Sequence, residues 1–410
     1  MRNTIAVLLI ITVCLFSLTG CYDARSIETL SYAIAIGIDE GETNMLKLTV
    51  QFVNPSSMGS NKGGSTSSSE PTTITSVECA SLDSGINIMN SFISRQINLS
   101  QCRIIVFSET IAEKGISEYL YTLTDNIEIR PNCNIVVSTC SAEEFLQNSE
   151  PASETLLGKY YDSIVNANKY TGSTDDIELS DFFTAYKDTF REPYAVLAGI
   201  NSPDTPMEYQ DASKSTIDSG YVADKSSVLN DTFMQSIGIA VFRSDKLVGE
   251  LNVGETISHL LLSNRLHQCH ITVPSPFSEN GIIDLRIIPT MDSKKEVTLV
   301  NNTPYITCEV FLSGEILSST KGINFTENSN IDLVESYVDA YMEQQISEYL
   351  YKTSKDFKSD IIGFGSKVVG NYLTTEDWVN SNWLDNYQNS FFDVTVVSDI
   401  KVGETFSKID

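Results

Sequence analysis

The chain has 410 residues, 41% of them hydrophobic and 20% charged, enough apolar matter to exclude wholesale disorder. Its 54 acidic residues outnumber 27 basic ones, for a formal charge of −27, which excludes a surface built to grip nucleic-acid phosphate or anionic lipid. The length fits two or three domains, and three histidines leave little room for multi-histidine catalysis.

The N-terminus carries the sharpest local signal. Arg2 supplies one positive charge, and Ile5 to Leu18 is an uncharged, mostly apolar run. A permanent bilayer span needs about 20 apolar residues, so this run fits the apolar region of a secretory signal covering residues 1–20. Leu18-Thr19-Gly20-Cys21 follows and looks like a bacterial lipobox. Small residues at 19 and 20 let the backbone enter a peptidase groove. Cys21 is then the expected lipidation site, because its thiol can take a diacylglyceryl group and become the new N-terminus. Two acyl chains give a stable anchor where one does not. An ordinary cleaved signal would prefer an Ala-x-Ala-like site, which is absent here.

Beyond the anchor, Ser31–Asp39 and the alternating Leu46–Val53 predict a β-hairpin. Residues 54–73 are Ser, Gly, Asn and Thr with prolines and predict a loop. A helix over 81–95, a strand over 102–107, a helix over 108–122 and a strand over 134–139 follow. Ser141 to Glu144 is a capping box opening a short helix. The alternation predicts an α/β domain over 21–150. Helices are expected at 156–167 and 179–187, and 201–227 reads as loop. Strands return at 236–242 and 247–251 around a tight turn, then a helix at 254–265 and strands at 269–273, 282–288, 296–300 and 305–317. Asn330–Lys355 carries Ile331, Val334, Val338, Tyr341 or Met342, Ile346 and Leu350 at helical period. Such a helix spans about 39 Å, enough to brace a sheet. Phe391–Val402 closes the chain as a strand.

Cys14 leaves with the signal, and Cys79, Cys102, Cys133, Cys140, Cys269 and Cys308 are scattered without a Cys-x-x-Cys pair. Small buried hydrophobes are the expected role. Their pairing, if oxidised, is not given by spacing.

Motif by motif, this order resembles the C-subunit lipoproteins of bacterial spore germination receptors, the Ger(x)C family. The carriers are Gly20-Cys21-Tyr22-Asp23-x-Arg25-x-Ile27, Ala35-Ile36-Gly37-Ile38-Asp39 and Val50-Gln51-Phe52-Val53-Asn54-Pro55. Further on come Ser94 to Ser100, Ile105 to Glu109, Arg130-Pro131-Asn132, Gly238 to Phe242, Lys246 to Gly249, Ile361 to Gly365 and Trp383. Tyr22 stands where the family usually has Trp, Ser26 where an acidic residue is common, and the Ser-rich loop is longer than expected. The resemblance implies three mixed α/β domains after the signal peptide: 21–150, 151–290, and 291–410. The last would hold an antiparallel sheet braced by one long helix near 330–357. It also implies a non-enzymatic subunit without cofactor, anchored through lipid outside the spore inner membrane. Its implied partners are an A-type integral membrane subunit and a B-type transporter-like subunit.

Other chemical signals are weak. His259, His267 and His270 lie near Cys269, but strand alternation separates His270 from the others, so no metal site is expected. Ser318-x-x-Lys321 lacks the companion motifs of penicillin-binding enzymes. Gly363-Phe364-Gly365 follows a helix, so it is a turn and no dinucleotide loop. Asp39-Glu40 and Asp175-Asp176 read as solvated ends. Asn98, Asn230, Asn301 and Asn324 begin glycosylation-type triplets of little meaning in a bacterial lipoprotein. Two rival functions remain: a lipid-anchored solute-binding protein of a transporter, which needs two hinged lobes, and an envelope hydrolase, for which no catalytic residues stand out.

Overall fold

The computed structural model describes residues 3–5, 27–53, 72–149, 157–201, 220, 221, 223, 233–278, 281–320, 325 and 327–403. Cys21, most of the signal run, most of the Ser-rich segment, Asn230, Lys321 and Asn324 lie outside them.

Two sheets organise the chain. The N-terminal sheet contains β1 (Leu30–Glu40), β2 (Leu46–Val53), β3 (Thr72–Cys79), β4 (Gln96–Asn98), β5 (Ile104–Ser108), β6 (Asn134–Ser138), β7 (Tyr194–Asn201), β8 (Phe233–Arg243) and β9 (Lys246–Leu251). Its order is β3-β2-β1-β5-β6-β7-β8-β9, with β4 beside β1. The centre β1-β5-β6-β7 is parallel, and the flanks are antiparallel hairpins. Sequence dictates this division. Ala33 to Asp39 and Ile104 to Ser108 are buried without alternation, as strands covered on both faces require.

Helices supply that cover: α1 (Leu82–Asn90), α2 (Glu109–Lys114), α3 (Ser117–Asp125), α4 (Ala142–Gln147), α5 (Leu157–Val165), α6 (Asn168–Thr171) and α7 (Leu179–Lys187). The single helix predicted over 108–122 is two, because Gly115 breaks it at φ 120° and Ile116 N–H donates to the Asp245 carbonyl. Gly37 lets α4 approach β1. A Cβ there would lie 3.0 Å from Ala142 Cβ. β6 and β7 pair across residues 150–151, the predicted boundary between the first two domains.

The C-terminal sheet contains β10 (Cys269–Pro274), β11 (Ile282–Pro289), β12 (Lys294–Val300), β13 (Thr303–Ser319) and β14 (Phe391–Val402). β10, β11 and β12 are antiparallel to their partners, as predicted for this end of the chain. β14 runs parallel to β13 from Tyr305↔Phe391 to Ile316↔Val402. Asn301 and Asn302 both adopt positive φ and form the two-residue hairpin turn between β12 and β13.

Two helices cover one face. α8 (Val253–Ser263) opens with an Asn252/Glu255 capping box and ends at Asn264 in the left-handed region. α9 (Asn328–Tyr351) continues as a π-helical turn, Lys352–Phe357, ending at Lys358 with φ 54°. It buries Val334, Val338, Met342, Ile346, Tyr349 and Leu350. The predicted stripe is therefore the packed one, and Met342 takes the position left open with Tyr341. Short helices α10 (Thr375–Ser381) and α11 (Trp383–Asn386) lead into β14. The fold is mixed α/β, with one long helix bracing the second sheet.

Candidate functional site at the junction of the sheets

β8 joins the two bodies by belonging to both cores. Met234, Ala240 and Phe242 pack into the N-terminal core, whereas Ile239 and Val241 pack into the core under α8 and α9. Alternation makes this possible, since successive side chains leave a strand on opposite faces.

Around β8 lies a buried polar network. Asp175 is fully buried. Arg265, just past α8, meets its Oδ2 through Nε at 2.8 Å and meets Asp176 Oδ1 through a terminal nitrogen at 2.8 Å. Tyr194 Oη–H donates to Asp175 Oδ2 at 2.9 Å. Burial pushes the Asp175 carboxyl up, and the guanidinium opposes that. The expectation of solvated carboxylates at 175–176 is thus corrected for Asp175: a cation 90 residues away in sequence neutralises it. Asp39 is corrected too. It is 6% exposed and accepts from Ala142 N–H at 2.7 Å and Glu143 N–H at 2.9 Å, at the start of α4 where a negative charge is favoured.

Asp360 is the second buried carboxylate of the junction. It accepts from Gly363, Phe364 and Gly365 N–H at 2.8, 3.1 and 3.0 Å, and from Trp383 Nε1–H at 2.8 Å. Gly363 sits at φ 80°, which aims the successive N–H groups inward. The predicted turn at 363–365 is a nest for an internal carboxylate. Burial pushes Asp360 up to about 6. Glu192 N–H donates to the Asp360 carbonyl at 2.9 Å, and its carboxylate accepts from Ser244 N–H at 2.7 Å. Burial lifts Glu192 to about 7. Ser359 Oγ–H donates to the Phe242 carbonyl at 2.6 Å, and Trp378 Nε1–H to Thr189 Oγ1 at 2.8 Å. An exposed Arg243–Asp385 pair lies at the rim.

His259 is buried, while His267 and His270 are exposed. His259 Nδ1 lies 2.8 Å from Tyr349 Oη, and burial pushes its imidazole down to about 3, so the ring is neutral. Cys269 is buried in β10. Among the described residues, no group of three or more His, Cys, Asp or Glu side chains could hold a metal. Ser318 Oγ–H donates to Asp284, and Thr272 does so at 2.9 Å, so Ser318 is engaged in the sheet. Between α8, α9 and the C-terminal sheet a cleft of about 480 Å³ opens, floored by Ile271 and Leu285 and walled by Ile257 and Met342.

The sequence reading missed Asp360, Glu192, Arg265 and Tyr194. For Asp360 a signal existed: an Asp three residues before Gly363-Phe364-Gly365, where a short acceptor can meet local N–H groups. Arg265 and Asp175 carried none, since only the tertiary fold joins them.

Residues 23–200 match the family described as spore germination protein N-terminal domain. Residues 237–403 match the one described as spore germination B3/GerAC like, C-terminal. The chain belongs to this family of spore germination proteins. It is 22% identical to spore germination protein KC of Bacillus subtilis (strain 168) over 387 residues, 93% of this chain and 91% of that protein. It is 22% identical to spore germination protein GerQC of Bacillus cereus over 312 residues, 76% of this chain and 77% of the relative. The crystal structure of the GerBC protein shares the fold, with a TM-score of 0.51 and 16% identity over 92% of this chain and 99% of that one.

Proposed function

We propose that this chain is the lipid-anchored C subunit of a nutrient germinant receptor and works by assembly, without catalysis or cofactor. The observation that carries this reading is the match of both family domains across residues 23–200 and 237–403, beginning just after Cys21. Cys21 is the lipidation site, and the acidic body stands at the outer face of the spore inner membrane. Among the described residues no helix is long and apolar enough to cross a membrane, which accords with a lipid as the tether. The partners are an A-type integral membrane subunit and a B-type transporter-like subunit. A solute-binding protein would need two lobes hinged about a cleft. A strand shared by both cores and a laced junction favour a single body instead.

Mass spectrometry of the native N-terminal peptide should find acyl groups on Cys21. Crosslinking within membranes should capture both membrane subunits. Deletion should abolish or slow the response to at least one nutrient in a strain without a redundant receptor. A full nutrient response in that strain would overturn the assignment.

A further inference from the structure

We propose that Cys102 and Cys133 form a disulfide in the exported protein, stapling the entry of β5 to the entry of β6. This rests on the reading of the chain as an exported lipoprotein. The two sulfurs lie 3.5 Å apart, and both residues are buried at 3% and 1% exposure. The backbone around them is fixed. Arg103 N–H donates to the Ile34 carbonyl and Asn134 N–H to the Arg103 carbonyl, both at 2.8 Å. The parallel register begins at Ile104↔Asn134, so Cys102 and Cys133 are offset by one residue on neighbouring chains. Both residues precede their strands, so strand alternation does not separate them, and the 3.5 Å sulfur contact shows that their side chains face each other. Closing sulfur contact to a bond of about 2.05 Å needs side-chain rotation and little backbone movement.

In this structure both thiols are free: Cys133 Sγ–H donates to Cys102 Sγ at 3.5 Å and Cys102 Sγ–H to the Ile104 carbonyl at 3.3 Å, contacts that the bond would replace. The Cys140 thiol is 3.3 Å from the Ser138 hydroxyl. A zinc site would require further ligands beside the two sulfurs, and the described residues offer no such group.

In the reaction each thiol gives up a proton and one electron, and a sulfur–sulfur bond forms. The two electrons and two protons pass to a disulfide-bearing oxidant outside the cytoplasm, whose own bond breaks to two thiols. Burial pushes the Cys133 thiol well above its ordinary range, so the attacking thiolate is scarce once the sheet has closed. Exchange therefore belongs to the stage when β5 and β6 are docking, and the same burial later screens the bond from reductants. The residues are 31 apart in sequence and enclose α2 and α3, so the bond also shortens the unfolded chain.

The test uses full-length protein recovered from membranes, acid-quenched, denatured, blocked with N-ethylmaleimide and digested without reduction. The expected result is a linked Cys102–Cys133 peptide pair, two hydrogens lighter than its parts, with maleimide on Cys79, Cys140, Cys269 and Cys308. Maleimide on both Cys102 and Cys133 overturns the proposal. The Cys21 peptide in the same digest separates the two readings. Acylated Cys21 with free Cys102 and Cys133 sinks the disulfide alone, whereas unmodified Cys21 beside a linked pair sinks only the lipid anchor. As a second readout, reduction in denaturant followed by refolding in reductant should lower the thermal midpoint of the native chain by several degrees and leave a C102A/C133A chain unmoved. Equal native midpoints with and without that treatment would count against the bond.

Discussion

Asp175 and Asp360 are both fully buried at the junction, yet the protein holds them by opposite means. Asp175 meets a cation, Arg265, delivered from the C-terminal end of α8. Asp360 meets only neutral donors, three backbone N–H groups within five residues and one indole. The first arrangement ties distant segments together and depends on a partner. The second shapes one local loop and leaves its charge uncompensated, which is why burial lifts Asp360 to about 6. Long-range charge pairing and local dipoles thus do separate jobs in one junction.

The contrast breaks most sharply at Arg265. Arg265→Met leaves Asp175 buried without its counter-charge and should cost about 3–5 kcal/mol in urea unfolding. Adding Asp175→Asn should recover part of that. Full stability in the single variant would mean that Asp175 needs no cation. Asp360→Asn is the companion test. The amide offers one acceptor oxygen to a nest of donors and points its own N–H groups at the rest, so a loss of about 3 kcal/mol is expected. Lowering the pH from about 7 to about 4 should widen that loss, because a carboxyl lifted to about 6 binds its proton more tightly in the folded state, so the wild type gains stability that the non-titrating amide does not.

Glu192 sharpens the comparison through pH. Its folded value of about 7 lies above the ordinary carboxylate range. The folded state therefore binds the proton more tightly than the unfolded one. The stability this supplies is complete below about pH 4 and is lost as pH rises through 7. Between pH 5 and pH 8 the wild type should lose about 2 kcal/mol that Glu192→Gln does not lose, read from urea midpoints at both values. Parallel curves for the two proteins would remove Glu192 from the account.

Periodicity made much of the fold legible. The packed stripe Val334, Val338, Ile346 and Leu350 on α9, the tight turn between β8 and β9, and the Ser141 side chain accepting from Glu144 N–H at the start of α4 all depend on neighbours within a few residues; of the expected capping box only that half forms. Strand order is different. That β8 serves two cores, or that β14 runs parallel to β13, follows from which faces meet, and alternation alone is silent on it. The buried carboxylates were misread for the same reason: an Asp beside an Asp looks solvated until a cation arrives from 90 residues away. Cys21, the residue with the clearest chemical signal, owes its legibility to a processing motif and nothing to the fold.

A further carboxylate pattern escaped notice because it crosses from helix to strand. Glu335, Asp339 and Glu343 lie four residues apart on α9. Glu343 accepts from Val396 N–H at 3.0 Å and Glu335 from Ile400 N–H at 2.8 Å, while Asp339 lies against Ser398. Four helical residues rise about 6.0 Å and two strand residues about 6.6 Å, so the two periods nearly match. The ladder satisfies N–H groups on β14 that would otherwise invite another strand. Glu343→Ala should cost about 1 kcal/mol and speed amide exchange at Val396 more than at Ile400. Equal protection at both would show that Glu343 is not the acceptor that matters.

The smallest effect is expected at the rim, where Arg243 and Asp385 pair across the junction at 37% and 52% exposure. Water screens such a pair, and two long side chains lose freedom to make it, so Arg243→Ala should cost less than about 1 kcal/mol. That cost should shrink further in 1 M salt, where the screening length is about 3 Å. Arg265→Met should keep most of its penalty at the same salt, since its partner has no solvent around it. If the two variants lost comparable stability, or responded alike to salt, the junction would be held by its exposed edge. The distinction between a cation-paired and a dipole-held carboxylate inside it would then carry no energetic weight.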